Sequence, residues 1–306
     1  MLFLRLELVN MEFLFNKVFL EHNPDCPGEG AYRINEFKDL PDTTLDGEQW
    51  LELVHSKEYI DMIRKACLEN KYLVEVKLSK ESYRAACLAV GLSVLASETN
   101  AFAIVRPPGH HASRDKTHGL CLFNNMAIAA QKMVNEGKRV FILDIDGHHG
   151  DGTQNIFYHT DRVLYASIHQ DNAFPYTGSV LETGEGAGLG YTLNMVLYPG
   201  NGDREFLEKL NKVIAVAIDY KPDVIGVSVG FDGFVRDDIL ELKYSDRLFY
   251  EAAFQLKKAF RSTPVFAVLE GGYHGEIRRL AESFTEGIVN GSKPPPMLLN
   301  DDISFG

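Results

Sequence analysis

Cysteine is scarce in this chain, and basic charge is outnumbered. The four cysteines, Cys26, Cys67, Cys87 and Cys121, form neither a CxxC pair nor a framework spacing, which argues against a disulfide scaffold and against a thiolate zinc site. A reducing compartment, the cytoplasm, is the expected location. Lys and Arg number 31 against 43 Asp and Glu, a formal net charge of −12. Phosphate binding needs a basic face, so duplex nucleic acid is not expected as a direct partner, and cationic ligands suit the balance better. No apolar run is long enough to span a bilayer, so no membrane partner is expected. Residues 1–20 are apolar but interrupted by Arg5, Glu7, Glu12 and Lys17, with no small-residue cleavage site; they read as a strand and not as a signal. Met11 then suits a functional start, with residues 1–10 a dispensable extension. Internal repeats, low-complexity segments and linkers are also missing, and the Pro-rich stretch within 292–306 reads as a tail leaving the last helix.

What is present is enough apolar material for a large core. A chain of 306 residues with 45% hydrophobic content suits one domain over 1–306. Short β-branched runs at 102–105, 140–143, 163–167, 192–196, 224–229 and 265–269 alternate with helical patterns at 125–136, 204–219, 246–260 and 276–289. This βαβ order predicts an α/β domain with a mostly parallel central sheet and helices on both faces. Such sheets place ligands beyond the carboxyl ends of their strands.

Chemistry concentrates in the run LDIDGHHGDG at 143–152, directly after a predicted strand. Asp146 and His148 are two apart, so in an extended segment they can offer one hard oxygen and one borderline nitrogen to the same divalent ion, zinc being the natural choice. Asp144, His149 and Asp151 are left over for orienting ligands, holding a second ion or moving protons. Asp, His and Gly are ordinary loop residues, and by itself the run settles little. A second cluster, RPPGHHA at 106–112, again follows an apolar run and again pairs histidines. The loops after Val105, Leu143, Val229 and Leu269 should therefore emerge on one rim and bring together His110, His111, Asp146, His148, Asp232 and Tyr273.

RPPGHHA, GLCLFNN (119–125), DIDGHHGDGTQ (144–154), SIH (167–169), FPYTG (174–178), GFD (230–232) and LEGGYHG (269–275) follow one another in this order. With that ordered set, the chain resembles the zinc-dependent histone deacetylase superfamily, which includes deacetylase-like amidohydrolases and acetylpolyamine amidohydrolases. The resemblance covers nearly the whole chain and implies the three-layer fold shared by arginases and deacetylases. It implies that Asp146, His148 and Asp232 hold one zinc per chain, or iron in its place, with positions left for water and a substrate carbonyl. Tandem His110 and His111 would act as acid and base, with Asp144 and Asp151 as their respective carboxylate partners, and Tyr273 would donate to the developing oxyanion. Potassium is implied at an inner site, formed by carbonyls of Asp144, Asp146, His148 and Ser167 with the Asp144 carboxylate, and at an outer one from Phe157, Thr160, Val163 and Tyr191.

The same matches imply Phe174 as one wall of an acyl-lysine tunnel and Gly119 as a carbonyl contact to the substrate amide. Leu120 departs from the family's usual aromatic residue, which suggests a wider channel. Ile239, seven residues after Asp232, is apolar where polyamine-specific relatives carry an acid; Asp237 and Asp238 beside it could still attract a distal ammonium. Glu75 is a candidate rim acid that clamps substrate backbone. The expected function is removal of an acetyl or other short acyl group from the terminal amine of lysine in a peptide or protein, or from a small acylated amine. An arginase-type manganese enzyme would need DxHxD, but the position of its last Asp is Gly150 here. A silent acyl-lysine binding module is opposed by the full set of His, Asp and Tyr roles.

Overall fold

The computed structural model describes residues 11–26, 28–73 and 75–292. The proposed extension at 1–10 lies outside them, as does the proposed tail beyond Ser292, itself the last residue of a helix. Among the described residues seven parallel strands form one sheet, in the order β1 (Phe13–Leu14), β4 (Phe102–Ala103), β9 (Val265–Leu269), β8 (Val224–Val229), β5 (Val140–Asp144), β6 (Val163–Gln170), β7 (Thr192–Leu197). A short antiparallel hairpin, β2 (Tyr72–Leu73) and β3 (Val76–Lys77), stands apart. Strands β5, β6, β8 and β9 are buried at every residue. Burial on both faces of these strands requires helices on both sides of the sheet.

Helices α1 (Lys57–Leu68), α2 (Lys80–Thr99) and α3 (Asn125–Asn135) form one packed group, α2 lying over β4 and β9 and α3 over β5 and β8. A second group consists of α5 (Asp203–Tyr220), α6 (Asp246–Ala259) and α7 (Ile277–Ser292), with α6 running along α7 and α5 on β6 and β7. Ring contacts tie this group to the strands, Phe284 of α7 lying 5.7 Å from Phe102 and Phe260, just past α6, 6.4 Å from Phe141. α4 (Asp151–Phe157) is the short helix between β5 and β6.

The expected α/β class holds, with differences that have physical causes. Residues 104–105 leave the strand geometry expected of 102–105, although Ile104 still donates its N–H to Leu14 O. The leading strand shrinks to Phe13–Leu14 because the Asn16 side chain caps a 3-10 turn over Lys17–Leu20. Helix α2 escaped the sequence pattern because it is buried almost all round, rich in small residues such as Ala and Ser and without one polar face. No helix among the described residues is long and apolar enough to cross a membrane.

Chain direction sets the site. After β5 the strands step outward to β6 and β7, then return to β8 and β9 on the other side of β5. The carboxyl ends of β5 and β8 thus flank the point where the strand order reverses, the place where open parallel sheets bind ligands.

Candidate active site

Asp146 and His148 follow β5, and Asp232 follows β8. Each offers one ligand atom, and all three atoms lie within 4.8 Å of one another. His148 Nδ1 is 2.6 Å from Asp232 Oδ2 and 3.3 Å from Asp146 Oδ1. Backbone N–H groups fix the remaining oxygens: Gly147 N donates to Asp232 Oδ1 at 2.7 Å and Gly271 N to Asp146 Oδ2 at 2.7 Å. A side chain at Gly230 would overlap the Asp146 carboxylate, so glycine is needed for this close approach. Burial, with the charge of Asp146, pushes the Asp232 carboxyl up to about 7. Burial would lower His148, but Asp232 and Asp146 raise it to about 10. Two buried carboxylates and an imidazole therefore crowd together with positive charge in deficit, and a borderline divalent cation suits this donor set.

Two histidine–carboxylate pairs stand beside this triad. His110 Nδ1 is 3.2 Å from Asp144 Oδ2, an oxygen that also accepts from Tyr165 Oη at 3.1 Å. His111 Nδ1 is 2.8 Å from Asp151 Oδ1. The two rings lie 4.0 Å apart yet are driven in opposite directions. Burial disfavours charge on His110, but Asp146 and Asp144 outweigh it and raise its pKa well above the usual value. Burial and the charge of His110 lower His111 to about 3, against the pull of Asp151. One imidazole is thus held charged and its neighbour neutral, as acid–base work requires.

Tyr273 follows β9. Its N–H donates to Asp237 Oδ2 at 2.6 Å and its carbonyl accepts from Tyr32 Oη at 2.9 Å. Arg33 lies beneath the ring, its Cζ 4.9 Å from the centroid, and donates to the carbonyls of Gly272 and Glu270. Glu29 joins Arg33 at 2.7 Å to Arg106 at 2.6 Å, and all three side chains are fully buried. Desolvation raises the Tyr273 hydroxyl pKa well above its usual value, with Arg33 opposing. His111, His148 and Tyr273 share a cavity of about 250 Å³ with Gly119, Leu120, Phe174, Ile239, Glu75, Cys26 and Gly28. Gly119 has φ +58°, and a side chain there would overlap the His111 ring.

The Histone deacetylase domain family matches residues 33–288. This chain belongs to the histone deacetylase family. It is 37% identical over 236 residues to a probable deacetylase of Archaeoglobus fulgidus, covering 73% of this chain and 66% of that relative. It is 35% identical over 271 residues to histone deacetylase 6 of Caenorhabditis elegans, covering 79% of this chain and only 28% of that protein. The chain thus spans less than two thirds of the length of these relatives. Among solved structures, the HD domain of HDA15 superposes with a TM-score of 0.84 at 27% identity, covering 94% of this chain and 91% of that one. An acetylpolyamine aminohydrolase from Burkholderia pseudomallei gives 0.83 at 27%, covering 90% and 98%. The domain is that of a hydrolase acting on amide bonds, in a family that is generally metal-dependent.

Within this deacetylase domain some expected residues serve other ends. Asp237 is buried, its second oxygen accepting from Ile239 N at 3.0 Å, so its carboxylate is turned to backbone N–H groups; Asp238 is exposed. Glu75 lines the cavity and is exposed. His149 bonds Thr177 Oγ1 at 2.8 Å and Gln154 Oε1 at 3.0 Å, away from the triad. For the inner cation site, Asp144 and Ser167 are register partners on β5 and β6. For the outer one, Phe157 ends α4, Val163 begins β6, Thr160 N donates to Phe157 O and Tyr165 N to Tyr191 O.

Three contributors went unseen in the sequence. His118 Nε2 bonds Asp151 Oδ2 at 2.7 Å; it immediately precedes the GLCLFNN motif. Glu270 accepts from Gly109 N at 2.8 Å, His110 N at 3.1 Å and Ser228 Oγ at 3.0 Å, and so fixes the tandem-histidine loop; it stands inside the quoted LEGGYHG. Arg33 lies outside every quoted motif. Replacing Glu29 by Gln leaves Arg33 and Arg106 buried without their counter-charge, so Glu29→Gln should cost about 3–5 kcal/mol of stability. Equilibrium denaturation measures this, and a loss below about 1 kcal/mol, the scale of an exposed pair, would show that the network does not hold the Tyr273 loop.

Proposed function

We propose that this chain is a zinc-dependent deacylase that removes an acetyl or other short acyl group from the terminal amine of lysine in a peptide or protein. One juxtaposition carries the reading: the donor group of Asp146, His148 and Asp232 reaches, through His148, a cavity that neutral His111 and protonated Tyr273 also line and that Gly119, Leu120, Phe174 and Ile239 wall. A zinc ion on those donors, or iron in its place, supplies Lewis acidity toward the amide carbonyl and a water. His111 donates from Nδ1 to Asp151, which leaves Nε2 free to take a proton from the water that attacks the carbonyl carbon. Tyr273 keeps its hydroxyl hydrogen and donates it to the oxygen on which negative charge develops. As the C–N bond breaks, the departing nitrogen takes a proton from the histidine pair, and the products are a carboxylate and a free amine.

The same reading places structural potassium on the carbonyls of Asp144, Asp146, His148 and Ser167 with the Asp144 carboxylate, and on the group Phe157, Thr160, Val163 and Tyr191. Free thiols at all four cysteines fit a reducing compartment such as the cytoplasm. Acetylated polyamines are the second reading, favoured by the likeness to the Burkholderia enzyme and by Glu75 at the cavity. Ile239 weighs for lysine: it lines the cavity, is 53% exposed and offers a distal ammonium no charge. The manganese ureohydrolase reading is disfavoured because a side chain at Gly150 would overlap the Asp144 carboxylate. Ranking kcat/KM for acetyl-lysine peptides, longer acyl-lysine peptides and acetylated polyamines tests the assignment.

The purified protein should bind about one zinc tightly, and Asp146→Ala or Asp232→Ala should lose both that metal and activity. Elemental analysis showing two tight manganese ions per chain would revive the ureohydrolase reading.

Tyr273→Phe removes one hydroxyl and little volume. Substrate should still bind while kcat falls by about two to three orders of magnitude. An unchanged kcat would make Tyr273 structural.

Leu120→Phe should fill the space opposite Phe174 and move selectivity toward acetyl, by about 1–3 kcal/mol in relative transition-state binding. Comparing kcat/KM for acetyl, butyryl and hexanoyl peptides on both proteins checks this. A uniform loss over all three acyl lengths would mean overpacking alone.

A further inference from the structure

Asp151 faces two ways. Its Oδ1 meets His111 Nδ1 at 2.8 Å, while its Oδ2 meets His118 Nε2 at 2.7 Å. The three residues offer ligand atoms that all lie within 4.8 Å of one another. Two imidazole nitrogens and a carboxylate are donors of the kind that suit borderline divalent cations. His118 and Asp151 also line a second cavity of about 600 Å³, with Lys116, Gln154 and Glu182 among its walls, whereas the acyl cavity is lined by His111. Water and ions can therefore reach the outer side of the cluster without passing the acyl cavity. Glu182 adds a carboxylate to the wall and Lys116 the opposing charge. His118 is partly exposed, 31% of its side chain being accessible, so it can adjust to an ion.

We infer that His111, Asp151 and His118 form a second divalent-metal site, suited to zinc, whose occupation switches the enzyme off. The switch follows from imidazole chemistry. In the active form His111 carries its proton on Nδ1 and keeps the Nε2 lone pair. An ion on Nδ1 takes the place of the proton there, the ring's one proton then resides on Nε2, and the nitrogen that must accept a proton becomes a donor. No bond to substrate is made or broken. The binding stands on geometry alone; the inhibition rests on the reading of His111 as the base.

The experiment uses the metal-loaded enzyme and zinc chloride in a metal-buffered solution. Equilibrium dialysis should give about two zinc ions per chain, the second weaker than the first. Asp146→Ala should lose the tight ion and keep the weak one. His118→Gln, which retains an N–H donor for Asp151 but no ring nitrogen, should keep the tight ion and lose the weak one. In wild type, added zinc should inhibit deacetylation; in His118→Gln the half-inhibiting concentration should rise by more than the ~10–100-fold that follows loss of an outer-shell metal partner. A single ion per chain at every concentration, or inhibition unchanged in His118→Gln, overturns the proposal. A second ion lost in His118→Gln without any inhibition in wild type would overturn the switch and count against His111 as base.

Discussion

Buried negative charge is the constraint around which this molecule is arranged. Asp144, Asp146, Asp232 and Glu270 are all fully buried at the carboxyl ends of β5, β8 and β9, where an unpaired carboxylate would cost several kcal/mol. Each is met by specific donors: Asp144 by His110, Tyr165 and Asp146 N, Asp146 by Gly271 N and His148 N, Asp232 by Gly147 N and His148, Glu270 by Gly109 N, His110 N and Ser228. These donors come from loops far apart in sequence. Satisfying the charge is therefore the same act as assembling the site, and the glycines are placed where backbone must come within hydrogen-bond reach of a carboxylate.

The Arg33–Glu29–Arg106 network does the corresponding work on the other side of Tyr273. Arg106 begins the loop that carries His110 and His111, and it donates to Phe19 O at 2.6 Å and His22 O at 3.0 Å. Arg33 reaches the carbonyls on both sides of Gly271. One carboxylate between two guanidiniums thus ties the amino-terminal segment, the tandem-histidine loop and the glycine-rich loop of Tyr273 into one rigid floor. The planar guanidinium fork suits such a junction, since several carbonyls must be reached from one fixed plane.

What was legible in the sequence was the chemistry that is local. Asp146 and His148 read as partners because two residues in an extended segment share a side, and the βαβ alternation gave the rim on which Asp232 and Tyr273 would join them. Strand periodicity worked where burial was complete, as in β8. It failed for α2, whose buried face runs nearly around the helix and leaves no stripe to detect. His118, Glu270 and Arg33 escaped for a different reason: they act through Asp151, His110 and Glu270, which lie 33, 160 and 237 residues away respectively, and no spacing rule spans such a distance. Asp237 shows the converse, an acid that sequence offers as an attractor for an ammonium while its oxygens already accept from two backbone N–H groups.

That placement of Asp237 links two properties that enzymes often vary separately. One carboxylate holds the N–H of Ile239, at the cavity mouth, and the N–H of Tyr273, at its floor. On the proposed reading, the residue that would meet the distal part of a substrate and the residue that would meet its carbonyl oxygen therefore hang from a single side chain. Exchanging the side chain at 239 leaves the tether intact, because the bond is made by backbone. Exchanging residue 237 would loosen both ends at once. On that reading, substrate range would be free to drift at one of these neighbouring positions and bound to turnover at the other.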